Sequence, residues 1–161
     1  MKNVENSKAT GEAQIEPVVK NDPRTASKFL SLGRDYLSDL PNDERERFLQ
    51  SILARQGEPN RWLLLLKHQN KHVGFIHMKI DNDERPCRGF ILEFYIMPLK
   101  RRRGLGRTLF AHSEDILKKR GVKSIWLLTN SSAEPFWRSL GFRSTGEKDK
   151  ETGQTIMAKS F

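Results

Sequence analysis

The sequence predicts a mixed α/β fold in which helices pack against a sheet, and three features of the chain support this prediction. Apolar residues recur at helical spacing in two stretches near the start of the chain. Short apolar segments of strand length follow these helices. A strand, a helix and a second strand come next, and such strands are expected to lie parallel with a right-handed crossover. The 161 residues fit one domain, assigned to residues 13–161, after a polar stretch over 1–12 that is typical of a flexible tail.

A short strand and a helix open the predicted domain. The strand covers Gln14–Lys20 and ends at the polar turn Asn21-Asp22-Pro23. The helix covers Arg24–Leu40, where apolar residues recur every three or four positions. We expect Gly33 to interrupt this helix and Pro41 to end it.

A second helix and a β-hairpin follow. Asn42 or Asp43 is expected to cap the helix, and Gly57 is expected to end it. The hydrophobic period then changes to that of short strands. Trp62–Leu66 and Val73–Ile80 are apolar segments joined by a polar turn, which predicts a hairpin.

The strand, helix, strand unit begins after a polar loop. Its first strand, Gly89–Met97, is closed by Pro98, which lacks a backbone donor. The helix covers Gly104–Arg120, and the second strand covers Ser124–Thr129. The remaining elements are short: a helix over Ser132–Leu140 and a hairpin of strands Phe142–Glu147 and Thr155–Lys159.

Composition excludes several classes of protein. The single cysteine, Cys87, excludes an internal disulfide framework and a multi-cysteine zinc site. The histidines lack metal-ligand spacing, so no metal is predicted. Met1–Lys20 has no apolar core of a signal peptide, and the longest apolar run, Trp62–Leu66, is far shorter than the roughly 20 residues of a membrane span. We therefore expect a soluble cytoplasmic protein with no membrane partner.

Positive charge is concentrated in one segment. Lys and Arg number 29 against 20 Asp and Glu, a formal charge of +9. Between Lys100 and Lys123 there are nine basic and two acidic residues, a local charge of +7. Such a concentration around a glycine-containing loop favours a compact polyphosphate as ligand, with nucleic acid as the less favoured partner. Lys118, Lys119 and Arg120 are better explained as a solvated helix face.

The loop between Pro98 and Arg107 connects the predicted strand to the predicted helix. Backbone amides at a helix N-terminus converge on an anion, glycine permits close approach, and the helix dipole favours negative charge. The loop lacks the G-K-[ST] of a P-loop and the G-x-G-x-x-G of a dinucleotide site. Its R-x-x-G-x-G string is short, so its surroundings must decide its function.

The loop and its neighbours occur in a fixed order: strand Phe90–Met97, Pro98, Arg101-Arg102-Arg103-Gly104-Leu105-Gly106-Arg107, strand Ser124–Thr129, Asn130, and Phe136-Trp137-Arg138-Ser139-Leu140-Gly141-Phe142. This order resembles the GNAT superfamily of N-acetyltransferases, in which an asparagine stands seven residues before an aromatic residue, as Asn130 stands before Trp137. The resemblance covers about Trp62–Lys159. It implies a central mixed, mostly antiparallel sheet of six to seven strands, helices on both faces, and one parallel strand pair splayed around the cofactor.

The resemblance also implies acetyl-coenzyme A as cosubstrate, without a metal. Backbone amides from Arg101 to Gly106 would bind its pyrophosphate, with Arg101, Arg103 and Arg107 as countercharges. Arg102 stands where many family members have glycine. The residues implied in cofactor binding are Tyr95, Ile96, Met97, Arg101, Arg102, Arg103, Gly104, Leu105, Gly106, Arg107, Asn130 and Trp137. Among these, the backbone of Tyr95, Ile96 and Met97 would pair with the pantetheine arm, which the Asn130 side chain would also contact.

Two residues of the same strand are candidates for the acid–base chemistry. An amine such as lysine has a pKa of about 10.4 and must lose a proton before it attacks a thioester. Glu93 is the candidate base, with a structural ion pair to an arginine as the open alternative. Tyr95 could orient the acceptor or its water. Trp137 stands at the family's general-acid tyrosine and cannot supply that proton, so the thiolate leaves unassisted or another group acts. Packing is the favoured role of Phe136 and Trp137.

Three functions remain open at this stage. The first is an N-acetyltransferase that acts by direct transfer on a primary amine of a small molecule or protein. The second is an RNA-directed basic protein, either a binding module or an enzyme that acetylates an RNA-linked amine. The third is a coenzyme A-binding regulator without turnover. The acceptor and a homodimer are undecided. Asp35, Asp39, Asp43 and Glu44 could attract a cationic amine, although solvated helix positions are the commoner explanation of such residues.

Overall fold

The computed structural model describes residues 13–82 and 87–161. The tail predicted over 1–12 and residues 83–86 lie outside the described residues. The elements in chain order are β1 (Ala13–Pro17), α1 (Pro23–Tyr36), α2 (Asn42–Ala54), β2 (Arg61–His68), β3 (Lys71–Asp81), β4 (Arg88–Ile96), a 3-10 turn (Pro98–Lys100), α3 (Leu105–Lys119), β5 (Ser124–Thr129), α4 (Glu134–Ser139), β6 (Arg143–Lys148) and β7 (Thr155–Ser160). Every predicted helix and strand is therefore found, with ends that differ by a few residues.

The strands form a seven-stranded sheet in the order β1-β2-β3-β4-β5-β7-β6. β1 pairs antiparallel with β2, and β7 pairs antiparallel with both β5 and β6. β4 and β5 are parallel. The turn between β2 and β3 contains Gln69 and Asn70, whose φ angles of 50° and 62° are typical of a two-residue hairpin turn. The predicted mostly antiparallel sheet with one parallel pair is confirmed.

The described residues form two compact units. Residues 13–77 and 94–110 make up the first unit, and residues 78–82, 87–93 and 111–161 make up the second. A single functional domain over residues 13–161 stays a prediction.

In the first unit, α1 and α2 pack closely at a glycine. The prediction that Gly33 interrupts the first helix is wrong, because α1 runs through it to Tyr36. A Cβ atom on Gly33 would lie 2.5 Å from Cδ2 of Leu49 on α2. Glycine therefore allows the two helices to approach each other. Their inner faces and the strands beneath share one core, which contains Phe29, Leu32, Leu49, Ile52, Leu53, Leu63, Leu65, Phe75 and Tyr95.

The ends of α2 also differ from the prediction. Its N-cap residue is Pro41, with φ −56° and ψ 147°, and no side chain caps this end. Asn42 and Asp43 lie inside the helix, where the Asn42 side chain accepts a hydrogen bond from Arg45 instead. The helix ends at Ala54 rather than at Gly57. The sequence located this helix correctly and misassigned both of its caps.

A half-exposed cluster of charged side chains ties β1 to α1 and to the start of β3. One carboxylate oxygen of Glu16 lies 2.9 Å from NH2 of Arg24, and the other lies 2.7 Å from Nε2 of His72. These hydrogen bonds, chiefly that of Arg24, lower the pKa of Glu16 from 4.5 to about 2. The edge strand β1 is thereby fixed by charge as well as by its ladder with β2.

In the second unit, α3 packs on the parallel strand pair. β4 and β5 are paired at Gly89–Ile91 and Ile125–Leu127, and the rings of Phe90 and Trp126 stack at 3.9 Å. A Cβ atom on Gly89 would lie 2.8 Å from a methyl carbon of Leu117 on α3. Glycine at this position lets the helix lie directly on the strands.

The edge strand β6 carries a bulge opposite β7. Three residues, 145–147, lie between the paired positions Ser144 and Lys148, and they face Ile156 alone. Gly146 has a φ of 84° within this bulge. The amide of Gly146 donates to Oγ of Ser144, and the amide of Glu147 donates to Oγ1 of Thr145, each at 3.2 Å. The bulge thus satisfies two of its amides with its own hydroxyl groups.

Candidate active site

The basic loop lies between a strand and a helix, as predicted. β4 ends at Ile96, and the amide of Met97 donates a 2.8 Å hydrogen bond to the carbonyl oxygen of Val73 on β3. The 3-10 turn Pro98–Lys100 follows, and α3 begins only at Leu105. Residues 101–104 are therefore an irregular connection outside any helix, which is the geometry that an anion-binding loop requires.

Two residues of this loop have left-handed backbone. Arg102 has a φ of 64°, and Gly104 has a φ of 79°. Glycine adopts such angles freely, whereas an arginine adopts them at a cost of about 1 kcal/mol. The glycine that the resemblance implies for many family members at this position would avoid this cost. A Cβ atom on Gly104 would meet no heavy atom within 4 Å, so the space beside the loop is open.

The start of α3 presents backbone donors. The amide of Thr108 donates to the carbonyl oxygen of Gly104 at 3.0 Å, which is the first hydrogen bond of the helical ladder. The amides of Leu105 and Gly106 precede it, so the helix has no acceptor for them. The positive end of the helix dipole adds to their attraction for an anion.

The cations of the loop differ in how they are held. Lys100, Arg102 and Arg103 form no ion pair with any carboxylate in the described part of the chain. Lys118 and Lys119, by contrast, pair with Glu114 and Asp115 one turn earlier in α3, at 3.0 and 2.9 Å. The solvated helix face predicted for these two lysines is confirmed. Within the described residues, the charges of Lys100, Arg102 and Arg103 are therefore not neutralised by a paired carboxylate.

Arg101 is attached to the end of β4. Its Nε donates a 2.8 Å hydrogen bond to the carbonyl oxygen of Ile96, and its guanidinium carbon lies 5.8 Å from the ring centroid of Tyr95. Arg101 was predicted as a countercharge for pyrophosphate. One of its donors is already committed to the strand, so its first role is to hold the loop against β4.

Tyr95 is a core residue of the first unit. Its side chain is buried, and its ring lies 5.4 Å from that of Tyr36 and 5.9 Å from that of Phe75. Burial raises the pKa of the Tyr95 hydroxyl, the Asp35 carboxylate raises it further, and Arg101 opposes this. The hydroxyl therefore stays protonated at neutral pH and can donate a hydrogen bond. A catalytic role for Tyr95 stays a prediction.

Asn130 follows β5 in the second unit, and its side chain is held in a fixed orientation. Its Oδ1 accepts hydrogen bonds from Oγ of Ser132 at 2.7 Å and from the amide of Ala133 at 3.0 Å. Within residues 13–82 and 87–161, its Nδ2 donates to no protein group. Asn130 thus offers two amide hydrogens from a rigid turn.

Trp137 is part of the packing of α4. It is buried, and its indole meets Phe136 and Phe142 edge to face, with centroids 5.0 and 5.4 Å apart. The packing role that the sequence favoured is confirmed. Its contact with the cofactor stays a prediction.

The predicted site residues fall in two groups. The first unit holds the end of β4 and the whole basic loop, namely Tyr95, Ile96, Met97, Arg101, Arg102, Arg103, Gly104, Leu105, Gly106 and Arg107. The second unit holds Glu93, which is half-buried in β4, together with Asn130 and Trp137. The role of Glu93 as base stays a prediction.

Across residues 13–82 and 87–161, no group of three His, Cys, Asp or Glu side chains is arranged to hold a metal ion. No helix in this same part of the chain combines the length and the apolar character of a membrane span.

Comparison with known proteins agrees with the geometry. Residues 29–142 match the model of the acetyltransferase (GNAT) family. The chain is 34% identical over 97 residues to the [ribosomal protein bS18]-alanine N-acetyltransferase of Escherichia coli K12. That match covers 58% of this chain and spans 62% of the relative's length.

Solved structures share the fold over nearly the whole chain. The PaiA N-acetyltransferase of Thermoplasma acidophilum, solved in complex with coenzyme A, superposes with a TM-score of 0.71 at 20% identity, covering 92% of this chain and 99% of that one. An aminoglycoside 6'-N-acetyltransferase, also complexed with coenzyme A, gives a TM-score of 0.74 at 17% identity and covers 91% of this chain and 96% of its own. The predicted fold is thereby confirmed.

Proposed function

The chain belongs to the acetyltransferase (GNAT) family, and on this premise we propose that it transfers an acetyl group from acetyl-coenzyme A to a primary amine. The observation that carries this proposal is the loop before α3. Amides without a helical acceptor, an open backbone at Gly104 and uncompensated cations meet in one short segment. A diphosphate has the charge and the acceptor oxygens that such a segment would bind.

In this proposal, some residues of the loop bind the cofactor through backbone amides and others through side-chain charge. Leu105 and Gly106 offer backbone amides at the helix start. Arg102 and Arg103 supply exposed positive charge, and Arg107 lies one helical position beyond the amides. Charge-assisted hydrogen bonds of this kind are about twice as strong as neutral ones. This set fits a diphosphate better than a nucleic acid backbone, whose charges are spread along a groove.

The backbone directions at the end of β4 indicate which of Tyr95, Ile96 and Met97 can pair with the pantetheine arm. The N–H of Met97 points toward β3, because it donates to Val73. Successive residues of a strand direct their N–H and C=O groups to opposite sides. Ile96 therefore directs its backbone groups away from β3. Its carbonyl oxygen accepts a hydrogen bond from Arg101, so its N–H is the group proposed for the strand-like contact. The free Nδ2 of Asn130 is the side-chain donor in this proposal.

The chemistry of transfer needs one proton removed from the acceptor. Bound acetyl-coenzyme A supplies an acetyl group activated as a thioester. Glu93 is proposed to accept the proton of the attacking amine, directly or through water. Tyr95, with its protonated hydroxyl, is proposed to orient the acceptor or that water. Trp137 contributes no proton, since an indole N–H has no useful acidity.

The acceptor class and the setting of the enzyme are also part of the proposal. A relative that acetylates an alanine of a ribosomal protein makes a peptide amine the first acceptor to test, and small amines follow. The single cysteine supports a cytoplasmic location. Direct transfer requires acetyl-coenzyme A and the acceptor to be bound together, so initial rates should fit a sequential scheme.

The proposed function is tested by release of free coenzyme A. Purified protein is incubated with acetyl-coenzyme A and a panel of peptides, polyamines and amino sugars, and the thiol is measured with time. Amine-dependent release is expected for at least one acceptor class. Tight binding of acetyl-coenzyme A with no release across the panel would instead support a regulator without turnover.

A further inference from the structure

Asp35 lies at an end of α1 that disfavours negative charge. The helix ends at Tyr36, so Asp35 belongs to its last turn, where the peptide dipoles repel an anion. Asp43 and Glu44 lie instead in the first turn of α2, where the same dipole attracts them. These two acids have a structural explanation that Asp35 lacks.

Among the described residues, no cation forms an ion pair that would offset this cost at Asp35. Its neighbour in sequence, Arg34, is 2.7 Å from a carboxylate oxygen of Glu46 on α2 and is therefore already paired. Asp35 is exposed, and none of the basic side chains in the described ranges forms an ion pair with it. An unpaired negative charge at the C-terminal end of a helix costs stability. Proteins keep such unfavourable residues mainly at functional sites.

The charge of Asp35 acts on the end of β4. The next residue, Tyr36, packs its ring against Tyr95 at 5.4 Å and against Phe75 at 5.6 Å. After burial, the Asp35 carboxylate is the second cause of the raised pKa of the Tyr95 hydroxyl. Arg101, the first residue of the basic loop, acts on the same tyrosine with the opposite sign. Asp35 and Arg101 of the loop thus both act on the hydroxyl of Tyr95, a residue of the proposed site.

We propose that Asp35 receives a positive charge of the acceptor, so that the substrates of this enzyme are amines that carry a second positive charge. This inference rests on the acetyl transfer proposed above. The recognised charge is separate from the reacting nitrogen, because a carboxylate beside that nitrogen would hold its proton and oppose attack. A polyamine has this chemistry, and so does a peptide with a basic side chain next to its free amine.

The experiment compares acceptors that differ by one charge. Putrescine and butylamine share a chain of four carbons, and only putrescine has a second ammonium group. A matched pair of tripeptides, with lysine or norleucine at the second position, separates a peptide source from a small-molecule source. Each pair is assayed with the wild type and with Asp35→Asn. The control is Glu151→Gln, which removes an exposed acid in the turn between β6 and β7.

The wild type is expected to prefer the charged member of at least one pair. Asp35→Asn should raise KM for that member about fivefold and leave the neutral member within twofold, as expected for one exposed charge interaction. High salt should shrink this difference. Glu151→Gln should change neither value by more than twofold, and Asp35→Glu should keep the preference.

The results distinguish failure of the proposed role of Asp35 from failure of the proposed acetyl transfer. An active enzyme whose preference survives in Asp35→Asn, or whose two KM values change equally, overturns the role of Asp35 alone. A wild type that acetylates none of the acceptors and releases no coenzyme A from a broader panel overturns the proposed function itself. Asp35→Asn should melt no lower than the wild type, since it removes an unfavourable charge, so a change in KM cannot reflect unfolding.

Discussion

The Nε of Arg101 donates a hydrogen bond of 2.8 Å to the carbonyl oxygen of Ile96. It joins the first residue of the basic loop to the last residue of β4. A lysine keeps the charge of Arg101 but has no planar fork that reaches this carbonyl.

We therefore expect Arg101→Lys to weaken coenzyme A binding about tenfold and to lower the free energy of unfolding by about 1 kcal/mol. Calorimetric titration and urea denaturation measure the two effects. Lys100→Ala is the control, because it removes a loop charge without removing an anchor, and it should weaken binding only two- to threefold. Equal affinities of Arg101→Lys and wild type would show that the anchor is dispensable.

Gly104→Glu should strongly weaken coenzyme A binding while the protein still folds. The substitution adds negative charge beside the proposed diphosphate, where repulsion of about 3 kcal/mol lowers affinity about hundredfold. Gly106→Glu should act in the same direction. Gly57→Glu is a matched control, because Gly57 also has a positive φ, of 96°, and open space around its Cα. Unchanged calorimetric affinity in Gly104→Glu contradicts the assignment of this loop.

Arg102→Gly should stabilise the protein and weaken cofactor binding at once. Glycine relieves the left-handed backbone at Arg102, whose φ is 64°, and about 1 kcal/mol of relief raises Tm by about 2–4 °C in a protein of this size. Loss of the exposed charge should lower coenzyme A affinity two- to fivefold. Arg103→Gly removes the same charge without the same relief, so its Tm should not rise. A lower Tm for Arg102→Gly contradicts the strained conformation.

Glu93→Gln separates binding from catalysis. The variant keeps the shape of the side chain but cannot accept a proton, so coenzyme A affinity should stay within twofold while kcat falls about hundredfold or more. Stopped-time thiol assays and calorimetry on the same preparation measure both. A wild-type turnover rate in this variant at neutral pH removes Glu93 from the mechanism and leaves it a structural role.

Glu16→Gln should make stability less dependent on pH in the acid range. The pKa of Glu16 is depressed from 4.5 to about 2 in the folded state, so its ion pairs stabilise the fold above about pH 4.5 and are lost as pH falls toward 2. The variant should lose on the order of 1 kcal/mol at neutral pH, after solvent screening of the half-exposed cluster. The two unfolding free energies should converge near pH 2. A constant difference across this range would assign the effect to something other than ionisation.

Much of the fold could be predicted because the hydrophobic period changes where the elements change. β5 was predicted at Ser124–Thr129 and is found there to the residue. The helix caps were harder. Pro41, Asn42 and Asp43 all suit a helix start, and only the surrounding tertiary structure decides which of them lies outside the first turn. Gly33 was misjudged for a related reason, since its value lies in the contact with Leu49 and not in its local propensity.

The candidate site divides in the same way. The basic loop could be located because its glycines and arginines are consecutive in sequence. The bond from Arg101 to Ile96 could not be predicted, since an arginine in a loop gives no signal of whether it faces solvent or a carbonyl group. Asp35 was one of four acids with equal standing in the sequence, and only the helix ends distinguish it from Asp43 and Glu44. The partner of Arg101 and the place of Asp35 at a helix end are seen only in the three-dimensional structure, because residue spacing in the sequence does not indicate them.

The bulge of β6 has a consequence for the protein at high concentration. Strand edges with free amides recruit extended segments of other chains, which is how many native proteins begin to form fibres. At this border, the amides of Gly146 and Glu147 are already bonded to the hydroxyls of Ser144 and Thr145. An incoming chain would find few donors in register there, and concentrated solutions should remain free of cross-β deposits nucleated at this border.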